Sequence, residues 1–169
     1  MQAKEEIIPY EFLFSEGIHH VYGFETDNAI VYQIKFKNTS YIFEQHLDFP
    51  IVAFEFVISV ALNPTDKSPS LDNRVSHTVA LIFKDFFKKT PEQVIIYICD
   101  SSDRRGAVRK RKFDQWVDYF KENEFVKVNA TIIDLVGITY YNALIIRKDN
   151  PNRLAITEAF INLAEEQDK

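Results

Sequence analysis

The chain has 169 residues, 46% hydrophobic and 27% charged, with four Gly, six Pro and a single Cys. That apolar content excludes a disordered chain, the scarcity of Gly and Pro excludes collagen-like or linker-like sequence, and the lone Cys99 excludes a disulfide scaffold. The net charge of −5 is unevenly placed, because residues 104–112 hold six of the 20 basic residues and leave 14 basic against 25 acidic elsewhere, a net −11.

The first 60 residues read as strands. Tyr10, Phe12 and Phe14 alternate with Glu11, Leu13 and Ser15. Tyr22 and Phe24 lie two apart before the turn signal Thr26-Asp27-Asn28, and Ile30, Tyr32, Ile34 and Phe36 then alternate with more polar neighbours, so residues 21–36 predict a hairpin. Ile51 to Leu62 is apolar at most positions and suits a central strand. Residues 63–71 form the clearest loop.

A helix follows. Asp72 is its N-cap, Val75, Val79, Ile82, Phe83 and Phe86 give it an apolar stripe, Lys88 and Lys89 complement its C-terminal dipole, and Pro91 stops it. Gln93 to Cys99 is the next strand, and its Val94–Ile98 is a continuous apolar run of the kind found in strands buried on both faces. It ends at Asp100-Ser101-Ser102-Asp103, and a second helix carries Phe113, Trp116, Val117 and Phe120 at helical spacing. Strands at 126–135 and 138–147 join around Gly137, and Asn150-Pro151-Asn152 opens a last helix with Ile156, Phe160, Leu163 and Ala164. The order ββββ-α-β-α-ββ-α clusters its strands, which predicts an α+β domain spanning residues 1–169, with a mostly antiparallel sheet and about three helices packed on one face.

No apolar run approaches the roughly 20 residues of a membrane span, and the N-terminal Met-Gln-Ala-Lys-Glu-Glu-Ile-Ile-Pro lacks the apolar region of a secretory leader. With one unpaired thiol, the expected location is the cytoplasm.

The site candidate is the polar turn after the buried strand and the basic start of the helix that follows: Asp100, Ser101, Ser102, Asp103, Arg104, Arg105, Arg109 and Lys112. Such turns at strand C-termini commonly hold ligands, and a helix N-terminus offers free N–H groups to an anion. Stepping 100° per residue from Phe113 puts Arg109 at about −40°, on the core-facing stripe, with Arg105 and Lys112 on its flank and Arg104 and Arg111 turned to solvent. An inward Arg109 requires a partner, and Asp100 and Asp103 are nearest in sequence. The alternative leaves Arg105 and Arg109 facing a pocket.

Other chemistry is weak. Arg105-Gly106-Ala107 after a strand is loosely similar to the pyrophosphate loop of acetyl-coenzyme-A-dependent acetyltransferases, but there is one glycine and the element order differs. His19 and His20 point to opposite faces of a strand, His77 lies off its helix's apolar stripe, and His46 with Glu44 and Asp48 is a scattered set, so no metal and no cofactor are expected. Cys99 reads as a buried structural thiol. Most of the 23 Phe and Tyr residues sit on core stripes, which disfavours single-stranded nucleic acid as the partner.

The string Tyr97-Ile98-Cys99-Asp100-Ser101-Ser102-Asp103, followed by Arg109, Arg111-Lys112-Phe113 and Trp116, resembles the central signature of the bacterial domain-of-unknown-function family DUF6169. The resemblance extends to Tyr10-Glu11-Phe12, to the helix around Val79 to Phe87, and to Ala143-Leu144-Ile145-Ile146 with Lys148-Asp149-Asn150-Pro151-Asn152. It implies one domain of bacterial, intracellular origin and carries no assigned function. Members tend to read Asp-Gly-Arg-Gln where this chain has Asp103-Arg104-Arg105-Gly106, which shifts the glycine and argues against a backbone cradle at the turn.

The leading reading is a non-catalytic binding or regulatory module whose 100–112 segment contacts an anionic small molecule, an acidic protein surface or, less favoured, nucleic acid. The competing reading is an enzyme on a phosphate- or carboxylate-bearing substrate, with Asp100 or Asp103 as acid/base and Arg105 and Arg109 as anion clamp. A third is a structural Asp–Arg network with the working surface elsewhere, such as a sheet face that forms a homodimer.

Overall fold

The computed structural model describes residues 6–100, 103–120 and 124–167. Strands β1 (Phe12–Glu16), β2 (His20–Glu25) and β3 (Val31–Asn38) form an antiparallel meander. A 3-10 turn at Ser40–Phe43, absent from the predicted element order, precedes β4 (Ala53–Leu62). Helix α1 (Asn73–Lys89) then carries the chain to β5 (Val94–Asp100), and α2 (Gly106–Phe120) to the β6–β7 hairpin (Phe125–Ile133, Thr139–Arg147). Helix α3 (Arg153–Gln167) closes the order. The seven strands lie in the order β1-β2-β3-β4-β5-β7-β6. All neighbours are antiparallel except β4 and β5, which the α1 crossover makes parallel. The molecule is therefore α+β.

Local chemistry explains the helix start. Asp72 adopts an extended backbone, its Oδ1 accepts the Arg74 N–H at 2.8 Å, and its Oδ2 accepts the Tyr10 hydroxyl at 2.7 Å. The expected apolar stripe of α1 is buried throughout, and Phe86 stacks on Phe36 of β3 with ring centres 3.9 Å apart.

The helices do not share one face, which corrects the expected packing. The core that holds α1 and α2 takes Phe54 and Phe56 from β4 and Ile95, Tyr97 and Cys99 from β5. The core that holds Ile156, Ala159 and Phe160 of α3 takes the alternate residues Ala53, Val94 and Ile96. Successive strand residues point to opposite faces, so α3 packs on the side away from α1 and α2. The reason lies in β5 and β7. Val94–Tyr97 and Asn142–Ile146 are buried at every position, and strands buried on both faces need a layer on each.

Candidate functional site

The start of α2 is built around Asp103. Its Oδ1 accepts the Arg105 backbone N–H at 3.0 Å, and Arg109 reaches back one and a half turns to grip both carboxylate oxygens, Nη1 on Oδ1 at 2.8 Å and Nη2 on Oδ2. The hydrogen bonds from Arg109 hold the Asp103 carboxyl below the usual carboxylate range, so it stays ionised near neutral pH. The predicted Arg–Asp pairing thus forms with Asp103. It forms at the surface, however, since the Arg109 side chain is 43% exposed, which corrects the expectation of a core-facing arginine. Arg109 does lie on the azimuth of Trp116, but the buried stripe of α2 resumes only at Phe113 after Gly106, and one turn earlier that azimuth opens into a cleft.

The remaining cations of the basic block disperse. Lys110 donates to Asp114 Oδ2 at 2.6 Å, and Lys127 of β6 donates to Oδ1 at 2.6 Å, so this carboxylate ties α2 to the sheet. Burial alone would raise the Asp114 carboxyl, yet the two lysines hold it below its usual value. Arg104, Arg105 and Arg111 are exposed and do not line the cleft. Arg104 sits at φ +61°, in the left-handed region that glycine adopts without penalty. Ser101, Ser102 and the Asp100 side chain lie outside the described residues.

The cleft has a volume of about 430 Å³ and arises from the sheet itself. The β4–β5 ladder pairs Ala53 to Val94, Phe54 to Ile95 and Glu55 to Ile96, and there it stops. Beyond that point β4 continues against β3 as far as Leu62, while β5 continues against β7 as far as Asp100. Two parallel strands diverge at their C-terminal ends, and the slit between them is the cleft. Consecutive β4 residues Glu55 to Val60 form one wall, Tyr97 and Ile98 the other, and Arg109, Lys112, Gln115 and Trp116 of α2 overhang it. The loop before α1 contributes Pro69 to Asp72. Of the eight predicted site residues, Arg109 and Lys112 come together here. Sequence reasoning missed the β4 wall. The available signal was a strand of 10 residues whose last part, Val60 and Leu62, is apolar and exposed.

Other candidate groups have structural partners. Cys99 is buried, and burial pushes its thiol up, away from the nucleophilic thiolate. The His77 ring lies against Tyr119, and its Nδ1 is 2.9 Å from the Asn73 carbonyl. His46 lies 3.4 Å from Glu166 of α3. Among the described residues no three His, Cys, Asp or Glu side chains gather as a metal site, and no helix is long and apolar enough to cross a membrane.

The model of a family of unknown function, DUF6169, matches residues 71–162, from the N-cap of α1 into α3. The chain belongs to the DUF6169 family. The match covers the α1, β5 and α2 walls of the cleft and leaves the β4 wall outside it. No curated protein and no solved structure matches this DUF6169 chain.

Proposed function

We propose that this DUF6169 protein is a one-domain, non-catalytic binding module of the bacterial cytoplasm that takes an anionic ligand with an apolar body in the β4–β5 cleft. One observation carries the reading: Arg109 and Lys112 overhang a cleft walled by Phe56, Tyr97 and Trp116. Cations fix the charged end of such a ligand, and aromatic walls take its body, the usual composition of a small-molecule site. A binding role fits better than acid/base work by Asp103 because the Asp103 and Asp72 carboxylates are committed, and Glu55 is the cleft carboxylate left without an ion-pair partner among the described residues. Asp103 is held ionised by Arg109, and Asp72 spends both oxygens on Arg74 and Tyr10.

Trp116 is the only tryptophan of the chain and lines the cleft, so its fluorescence reports occupancy. Titration with benzoate and phenyl phosphate is expected to change Trp116 emission. Lys112→Ala is expected to weaken the response about tenfold, the scale of one charge-assisted hydrogen bond. The double variant Arg104→Ala/Arg105→Ala is expected to bind as wild type, since neither residue lines the cleft. Wild-type affinity in Lys112→Ala together with loss in the double variant would move the site to the exposed turn and overturn the cleft reading.

A further inference from the structure

We infer that the natural occupant of the cleft is an extended peptide segment of a partner protein, which adds as a strand along the open inner edge of β4. The inference rests on the cleft reading above and names its ligand class.

The backbone is the first argument. Past Glu55 the side of β4 that faced β5 has no ladder partner among the described residues, although the strand runs on to Leu62. In an antiparallel pair alternate residues direct both N–H and C=O away from the partner, so β4 presents a spaced row of donors and acceptors to the slit. Backbone polar groups recessed in a cleft call for partners, and a small carboxylate or phosphate supplies acceptors without donors. An extended chain supplies both at the matching spacing, and addition to an open edge is an established mode of peptide recognition. Seven residues of β4 lie beyond the last β5 pair, enough to seat a peptide of about five or six residues.

Charge is the second. Arg109 and Lys112 stand on the helix-covered side of the slit. Glu55 lies on the other side, because it alternates with Phe54 and Phe56, which face α1 and α2. Neither Lys112 nor Glu55 has an ion-pair partner among the described residues. A strand in the slit would send alternate side chains to the two sides. The preferred sequence therefore carries an acidic residue toward α2 and, at an odd separation from it, a basic residue toward Glu55. The rim is the third argument. Val60, Leu62, Leu71 and Ile98 are exposed apolar residues gathered at this end of the slit or beside it, and Leu71 is 83% exposed. Apolar side chains of a bound segment would cover them.

The test uses a positional-scanning library of acetylated and amidated hexapeptides, read by Trp116 fluorescence on the whole protein, with benzoate as the small-anion control. Selection of an acid and a base at odd separation is expected. Charge reversal by Lys112→Glu is expected to exchange the preferred acid for a base at the α2-facing position. N-methylation of the best peptide at alternate residues is expected to cost about tenfold in affinity, while methylation at the residues between costs little. Hydrogen exchange at β4 amides 56–62 should slow when peptide is bound. A flat N-methyl scan would overturn strand addition. Failure of every hexapeptide while benzoate still changes Trp116 emission in a Lys112-dependent way would overturn the peptide and leave the anion cleft standing. Failure of both probes would remove both readings.

Discussion

Arg109 illustrates how the position of an ion pair determines what it does. Gripped by Asp103 with both side chains open to water, it loses little when removed, because exposed pairs are screened and entropically costly to hold. Arg109→Ala should therefore leave the melting temperature near that of wild type while weakening benzoate at the cleft; a large drop in melting temperature would show that the pair supports the fold. Asp114 is the contrasting residue, because Lys127 beside it is only 13% exposed. Asp114→Asn leaves that ammonium without its anion and should cost about 1–3 kcal/mol in urea unfolding. Arg104 is a third case. At φ +61° a glycine is unstrained where an L side chain is not. Arg104→Gly should be neutral or raise stability by up to about 1 kcal/mol, measured by the same unfolding curves.

At the scale of elements, the sheet is a shared wall between two cores. Phe36 and Phe86 lock β3 to α1, Tyr97 and Phe113 stack at 3.8 Å to lock β5 to α2, and Phe160 anchors α3 on the opposite side. Truncating one such ring leaves a cavity and the loss of its contacts. Phe86→Ala and Phe160→Ala should each cost about 3–5 kcal/mol. The second variant is the more informative. Trp116 lies on the α1–α2 side, so a lower urea midpoint for Trp116 emission in Phe160→Ala would show that the two cores melt together through the sheet. An unchanged Trp116 midpoint would show that α3 unfolds independently. The β4–β5 divergence belongs to this scale as well. Each strand finds its antiparallel neighbour, β3 or β7, over most of its length, and the parallel pair between them is short.

For the whole molecule, pH dependence follows from carboxyls distributed over several elements. Asp85, Asp103, Asp114 and Asp149 are all held below the ordinary carboxyl value of 3.8 by neighbouring Lys or Arg. Each folded pKa is lower than its unfolded counterpart, so the unfolded chain binds more protons in acid. Their stabilisation is complete above the unfolded value and is lost as pH falls through 3.8 toward the folded values. The Asp103 and Asp149 pairs are open to water and contribute little, so the fall in urea midpoint below about pH 4 rests on Asp85 and Asp114 and should be smaller in Asp114→Asn. The alkaline side has the opposite origin. Burial raises Cys99 and Tyr97 above their unfolded values, so the folded chain binds more protons in base and stability declines as pH rises past about 9. Consistent with that burial, Cys99 should react with a thiol reagent only on unfolding.

What the sequence by itself determined is local and periodic. Alternation in Ile30 to Phe36, the stripe from Val75 to Phe86 with its Asp72 cap, and the Phe113–Phe120 spacing each follow from a geometry within a few residues, and the α+β class follows from their order. The run Val94–Ile98 carried the information that β5 is covered on both sides as far as Tyr97, yet which helix supplies the second cover depends on where the chain returns after β7, and Ile98 is left exposed. The same limit applied to the site. Helical phase placed Arg109 and Lys112 on the correct side of α2, but phase does not measure depth, and Arg109 ended at the surface. The cleft was decided by tertiary structure alone. It exists because β4 and β5 separate after three pairs, and that separation depends on competition among four strands distant in sequence, a relation no local pattern encodes.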